Sequence, residues 1–491
     1  MIAFVFYFSA LGAILCASTL IPALIAFGVQ EIQIGYRILL YGASGGFFCI
    51  ATLLAIHGRL GGMERNTAII LAVTSWIGFP AVTALPLSDL LNISYIDAVF
   101  QTMSAFTTSG AMIIDNVDTM PRSVLFMLAQ FQWLGGAGVL ITLVLVLAPW
   151  EIGGLPQVSS ASVAASIVAS QSRLVKFCWR IFRAYLMLTL MCFIGLLLCQ
   201  VKPFDAMVLS FSALSTGGMS PTDQSIDLVI GNWGMIILAA FMITGATSVF
   251  WHESVARLNI EDLRAHRESY FILTVWLALA LYVAYKISVS TGETGFLLNT
   301  KALSEGVFNS ASIISTSGLQ SRPGVFSLLP STLVLMLIFI GGGCYSTSGG
   351  IKFFRIGGMF SLSEYELNRL IYPSSMKPTR FGNTKFDLGI MKAIWSLFAV
   401  LIITVAIATC ALSITGIAFQ PSLTAVIAAI TNSGSVYTPD WSSTLSNQWP
   451  AYFDMSDIQK LILTVTMFLG RLEVISVFAC ATVVLRTIRQ L

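Results

Sequence analysis

Four stretches of this 491-residue chain can be written one above another without a gap: Asp97-AVFQTMSAFTTSG-Ala111, Asp205-AMVLSFSALSTGG-Met219, Glu305-GVFNSASIISTSG-Leu319 and Pro421-SLTAVIAAITNSG-Ser435. Their glycines, Gly110, Gly218, Gly318 and Gly434, share one column. Near the front stand Asp97, Asp205, Glu305 and, breaking the pattern, Pro421. Six residues before the glycine stand Ser104, Ser212, Ser312 and Ala428. The tails read Thr107-Thr108-Ser109-Gly110, Ser215-Thr216-Gly217-Gly218, Ser315-Thr316-Ser317-Gly318 and Thr431-Asn432-Ser433-Gly434. One such tail would mean only a turn. Four in register mean one structural unit used four times.

The columns have a physical reading. The apolar part of each window is too short to cross a bilayer and suits a re-entrant helix. An acid or proline at its front fits a first helical turn. Its C-terminal end carries partial negative charge, which favours a cation. The tail then offers carbonyl and hydroxyl oxygens, and glycine permits the angles that turn carbonyls toward a common axis. Such oxygens can replace the water around a potassium ion. Backbone of this kind is tolerated at membrane depth only where it lines a cavity.

Composition sets the solvent. Hydrophobic residues make up 56% of the chain and charged ones 10%, against about 25% charged in a soluble domain. With a mean hydropathy of +0.85, most of this surface faces lipid. A net charge of +3 gives no reason to invoke nucleic acid. The eight cysteines are scattered without a metal-binding spacing and read as small buried hydrophobes. Apolar runs predict about ten spans, near 3–28, 37–56, 68–87, 122–149, 174–200, 229–250, 270–290, 328–341 and beyond, 389–413 and 458–485. The first lacks a basic leader and reads as a retained helix. This organises the chain as two leading spans (1–60) and four repeats, 61–150, 170–255, 268–360 with a broken inner helix, and 386–491.

Basic residues collect on one side of that layout. They include Arg59 and Arg65, then Lys176, Arg180 and Arg183, then Arg257 and Arg267, the run from Lys352 to Lys392, and Arg486 and Arg489. That side is expected to be cytoplasmic, with both termini inside. The other side carries Asp97, Asp205, Asp223, Asp227 and Glu305 among its acids, an expected vestibule that concentrates cations.

These motifs resemble the Trk/Ktr/HKT superfamily of cation transporters, of the TrkH/TrkG type, over roughly residues 60–491. The first three tails match its filter loops. Gln132-Trp133-Leu134-Gly135-Gly136 matches the opening of its first inner helix, the run Gly341-GGCYSTSGG-Ile351-Lys352 its glycine-rich break, and Gly470-Arg471-Leu472-Glu473 its last-helix signature. The fourth tail departs, since many members carry a Gly-Pro-Gly run there. The resemblance implies an all-α integral membrane protein: ten transmembrane helices and four re-entrant pore helices, as outer helix–pore loop–inner helix repeats in pseudo-fourfold arrangement. It implies potassium uptake across the cytoplasmic (inner) membrane, with potassium held at the sixteen tail residues named above. It also implies an intramembrane gate made of Gly342, Gly343, Cys344, Tyr345, Ser346, Thr347, Ser348, Gly349 and Gly350, with Lys352 and Arg471 beside it. A homodimer with a separate cytosolic nucleotide-binding regulatory subunit is implied, and no other cofactor in this chain.

The residues leave alternatives. The glycine run suits a plain helix kink as well as a gate. A charge like Arg471 inside an apolar helix faces either water or a buried partner. Lys352 also suits an ordinary cytoplasmic anchor. Gln132 and Trp133 read as packing residues, and Asn309 and Asn432 as scaffold donors. A sodium-permeable or ion-coupled symporter of the same fold remains, as does a midplane solute carrier, which would need two broken helices in inverted halves. An enzyme is disfavoured, because no paired acid, histidine or cysteine site appears.

Overall fold

The structure is a computed structural model. It describes residues 2–56, 58, 65–114, 116–144, 152–155, 171–258, 260, 263, 266–292, 300–372, 380–381, 384–385, 388–438, 449–474, 476–478, 480 and 482. Arg59, Arg486 and Arg489 lie outside them, as do the later part of the tenth expected span and parts of the four repeats. Among the described residues the regular structure is helical, apart from a two-residue antiparallel pairing of Arg380–Phe381 with Thr384–Lys385.

Helices α1 (Ile2–Ser18) and α2 (Leu20–Gly28) continue one another as one apolar stretch, and α3 (Ile32–Ile56) returns. Four sets follow. The first is α4 (Arg65–Leu91), α5 (Tyr95–Phe106) and α6 (Arg122–Thr142). The second is α7 (Gln171–Leu198), α8 (Pro203–Ser215) and α9 (Ile226–Ala246), with α10 (Val249–Ala256) after it. The third is α11 (Arg267–Thr291), α12 (Thr300–Ile314) and α13 (Ser331–Ile340), with α14 (Phe353–Ile371) after it. The fourth is α15 (Leu388–Ile414), α16 (Phe419–Ile430) and α17 (Asp457–Arg471).

Eight helices among the described residues are long and apolar enough to cross a membrane, against the ten expected. Two expected spans differ. In the third set the helix stops at Ile340 after 10 residues, about half the thickness of a hydrocarbon core at ~1.5 Å per residue. Gly341 takes φ +73°, which no helix accommodates. In the fourth set α17 ends at Arg471, and Glu473 lies at φ +54° just beyond it.

Packing orders the sets. Each short helix lies between the first and last helices of its own set, as α5 does between α4 and α6. The last helix of each set also packs on the short helix of the next: α6 on α8, α9 on α12, α13 on α16, and α17 back on α5. The order closes on itself. Small residues allow the approach. A Cβ on Gly135 would stand 1.9 Å from the Phe106 carbonyl oxygen, one on Gly245 2.9 Å from that of Leu214, and one on Gly470 1.9 Å from that of Ile430. Phe106, Leu214 and Ile430 occupy one column of the repeat. The N-terminal pair of helices is fastened outside this ring. Glu31 accepts from the Arg122 and Ser123 amides at 2.8 and 3.2 Å and from the Ser123 hydroxyl, at the positive end of α6.

Candidate ion pathway

All four short helices end in the same way. The N–H of the second tail residue bonds three residues back: Thr108 to Ala105, Thr216 to Ala213, Thr316 to Ile313 and Asn432 to Ala429, at 3.0–3.2 Å. The N–H of the third bonds five back: Ser109 to Ser104, Gly217 to Ser212, Ser317 to Ser312 and Ser433 to Ala428, at 2.8–3.0 Å. This is the Schellman ending, which calls for a left-handed residue. Thr108, Thr216, Thr316 and Asn432 supply it at φ +57°, +54°, +61° and +52°. Asparagine tolerates that region better than threonine does, so Asn432 in the fourth tail preserves the geometry although it breaks the sequence pattern. The first-position hydroxyls turn back to the helix, Thr107 to Met103, Ser215 to Phe211 and Thr431 to Ile427, each at 2.7 Å. Their protons are spent there.

The four tails touch in cyclic order. A Cβ on Gly110 would lie 2.1 Å from the Gly217 carbonyl oxygen, and one on Gly218 1.9 Å from that of Ser317. One on Gly318 would meet Ser435 Oγ at 2.2 Å, and one on Gly434 would meet Ser109 Oγ at 2.7 Å. Each glycine is therefore required by the neighbouring loop. Three of them, Gly110, Gly218 and Gly318, share φ near +74° (+73°, +74°, +75°), and Gly434 does not. The fourth loop instead enters a 3-10 turn, Gly434–Val436. In the tails, Thr108 Oγ1 and the Oγ atoms of Ser109 and Ser317 are buried without a protein hydrogen-bond partner, as are those of Ser212 and Ser312 in the short helices. Buried polar oxygens without partners are rare, and a cation bound among them would satisfy them.

Directly against these loops lies the non-helical segment between Ile340 and Phe353. Its freed backbone is paired locally and across the set boundary, with Ile351 N on Phe339 O, Lys352 N on Ile340 O, and Gly343 N on Ala246 O, at 2.8–2.9 Å. Thr347 Oγ1 reaches the Leu214 and Gly245 carbonyls, both at 2.9 Å. Gly349 N donates to Thr316 Oγ1 at 2.8 Å, and a Cβ on Gly349 would fall 1.6 Å from the Thr431 carbonyl oxygen. The segment therefore abuts the second, third and fourth loops at once. Lys352 Nζ donates to the Ser348 carbonyl, and Arg471 Nη1 donates to the Thr347 carbonyl at 2.8 Å. Both cations are buried, and neither forms an ion pair among the described residues. Arg471 Nε and Nη2 have no partner there. Glu473, the acid nearest to Arg471 in sequence, faces Arg355 instead, at 2.7 and 2.8 Å.

A family model described as TrkH, cation transport protein, matches residues 47–487. The chain belongs to the TrkH family. Among the most similar curated members is the Trk system potassium uptake protein TrkG of Escherichia coli K12, 28% identical over 450 residues and 87% of each chain. The Trk system potassium uptake protein TrkH of Halomonas elongata is 28% identical over 434 residues and 86% of each. The crystal structure of the potassium transporter TrkH from Vibrio parahaemolyticus superposes with a TM-score of 0.84 at 24% identity, covering 97% of this chain and 98% of that one. These relatives are transport proteins rather than enzymes, and this TrkH-family chain is a multi-pass membrane protein of the same fold.

The geometry changes several residue readings for this family member. Gln132 does more than pack: its Nε2 donates to the Gly217 carbonyl at 2.7 Å. Trp133 does pack, stacked on Tyr185 and Phe211. Asn309 is a scaffold donor, to the Glu305 carbonyl and Ser321 Oγ, both at 2.7 Å. The acids expected to form an open vestibule are partly neutralised. Asp97 pairs with Lys460 at 2.6 Å, Glu305 with Arg322 at 3.1 Å and Asp227 with Lys301 at 3.1 Å. The bases that pair with Asp97 and Asp227 come from helices distant in sequence, so spacing gave no sign of them, whereas Lys301 and Arg322 flank Glu305 in its own set. Burial pushes the Asp205 carboxyl up, against the pull of Lys202 and Arg122. Sequence reading also missed Glu268, which accepts from the Cys344 and Phe354 amides at 2.9 Å each and brackets the broken segment. Its place in the first turn of α11 carried no motif.

Proposed function

We propose that this chain takes up potassium across the cytoplasmic membrane, through the axis enclosed by the four tails. The observation that carries this reading is the closed ring itself: four short helices with one C-terminal geometry, each followed by a glycine fitted against its neighbour's oxygens. A potassium ion entering it exchanges water for the carbonyls of Thr107–Gly110, Ser215–Gly218, Ser315–Gly318 and Thr431–Gly434. The names of the relatives support potassium as the ion. In this reading α5, α8, α12 and α16 are re-entrant pore helices in ten-span, pseudo-fourfold topology. Their C-terminal ends point inward at the ion, and both termini are cytoplasmic.

The segment Gly342–Gly350 with Lys352 and Arg471 acts as the gate. It lies against three of the four loops and, in this reading, sets two positive charges that have no ion pair among the described residues on the conduction path, where a cation is repelled. A homodimer served by a separate cytosolic nucleotide-binding subunit completes the assembly. The chain itself needs no cofactor beyond the transported ion.

The test is growth of a potassium-uptake-deficient bacterium at low potassium. Expression of this chain should restore growth, and added sodium should compete poorly. No rescue with the protein present in the membrane would refute potassium uptake. Rescue abolished by equimolar sodium would refute selectivity.

A further inference from the structure

Ser435 stands in the column occupied by Ala111, Met219 and Leu319 in the other loops, all buried and apolar. Its surroundings differ from theirs. Gly434 does not take the left-handed φ of its three counterparts. The chain therefore curls into the 3-10 turn, with Val436 N on Ser433 O at 2.9 Å and Tyr437 N on Gly434 O at 3.1 Å. That curl swings residue 435 across the ring. Its N–H meets the Ser109 carbonyl of the first loop at 3.4 Å, and its hydroxyl donates to the Ser317 carbonyl of the third at 2.6 Å. A Cβ on Gly218 of the second loop would lie 2.3 Å from Ser435 Oγ. One half-buried residue thus meets the first loop through its amide and the third through its hydroxyl, and that hydroxyl occupies the space a side chain on Gly218 of the second would need.

We infer that Ser435 is a specificity-determining residue, whose hydroxyl pins the Ser317 carbonyl and sets the width of the ring at that level. The inference rests on the reading of the four tails as a potassium filter. The chemistry is direct. Ser109, Gly217 and Ser317 hold the third tail position in their loops. The Ser109 carbonyl has only a long backbone contact from Ser435, whereas those of Gly217 and Ser317 each take a short side-chain bond, from Gln132 and Ser435. A carbonyl fixed in this way cannot follow a smaller ion inward, so sodium is left under-coordinated. It also has less charge to offer, so the ring is unequal by construction. Gln132 acts from behind, on the scaffold. Ser435 acts from inside the ring and links two walls of it.

The measurement is rubidium uptake by potassium-uptake-deficient cells expressing the full chain, titrated with sodium. The readout is the sodium concentration that halves uptake. Loss of one hydrogen bond of this kind corresponds to a change of about threefold to tenfold. Ser435→Ala and Ser435→Cys, the second nearly the same shape with a weak donor, should each lower that concentration by this factor. Ser435→Thr, which keeps the hydroxyl, should stay near the wild type. If Ser435→Cys keeps the wild-type sodium sensitivity, the inference is overturned, even if total uptake falls, because a structural role lowers uptake without changing the balance of ions. If Ser435→Ala does not reach the membrane, the Cys and Thr pair decides alone. If the wild type takes up no rubidium, the filter reading itself fails and this inference with it.

Discussion

At Gly110 a methyl group would stand 2.1 Å from the Gly217 carbonyl oxygen, on a backbone at φ +73°. Both facts are costly for any side chain, by about 1–2 kcal/mol for the backbone alone and more for the displaced oxygen. Gly110→Ser should therefore open or distort the ring and reduce discrimination of potassium from sodium, by about tenfold or more on a 1.4 kcal/mol scale. Relative uptake of the two ions in the same cells checks it, and an unchanged ratio would remove Gly110 from the filter. The residue scale is also where the sequence was most legible. The glycine column announced itself by spacing. Asn432 looked like a defect in the pattern, yet it serves the left-handed position that Thr108, Thr216 and Thr316 occupy in the other loops.

At the scale of elements, two interruptions meet. The helix that stops at Ile340 and the one that stops at Arg471 end beside each other, joined by the bond from Arg471 Nη1 to the Thr347 carbonyl. A guanidinium in so buried a place, without a carboxylate, is expensive to keep. The proposed barrier to cations would give a reason to keep it. Arg471→Ala removes the charge and unties the segment, so potassium flux should rise severalfold at equal protein in the membrane. Loss of protein with no gain in flux would assign Arg471 to structure alone. Half of this pairing was visible beforehand: a helix cannot remain regular through Gly341-Gly342-Gly343. The second interruption was not visible, because Gly470-Arg471-Leu472-Glu473 contains one glycine and could continue as a helix.

At the scale of the whole molecule, long-range ion pairs join sets that the repeat pattern treats as separate. Lys460 of α17 reaches Asp97 of α5 and closes the last set onto the first. Arg355, just inside α14, forms two bonds to Glu473 and a third, from Nε, to the Gly153 carbonyl at 2.8 Å. It thereby links the third set, the fourth, and the connection between the first two. Removing one member of a buried pair leaves the other charged and unsolvated, at a cost of about 3–5 kcal/mol. Glu473→Ala should lower the thermal midpoint of the detergent-solubilised protein markedly, and Arg355→Met combined with it should recover part of the loss. A loss in the double variant equal to the sum of the two single losses would mean that the two residues act independently.

The membrane class, the four repeats and the glycines that each repeat needs are all legible along the chain. These follow from local causes: apolar content, helix length, and backbone angles that only certain residues adopt. Only the tertiary structure decided what the repeats do to one another. It placed Gln132 and Ser435 on the carbonyls of Gly217 and Ser317, paired Asp97 and Asp227 with bases remote in sequence, and gave Lys352 and Arg471 no ion pair among the described residues. Those relations depend on which surfaces meet after four similar units close into a ring, and no spacing along a single chain encodes that.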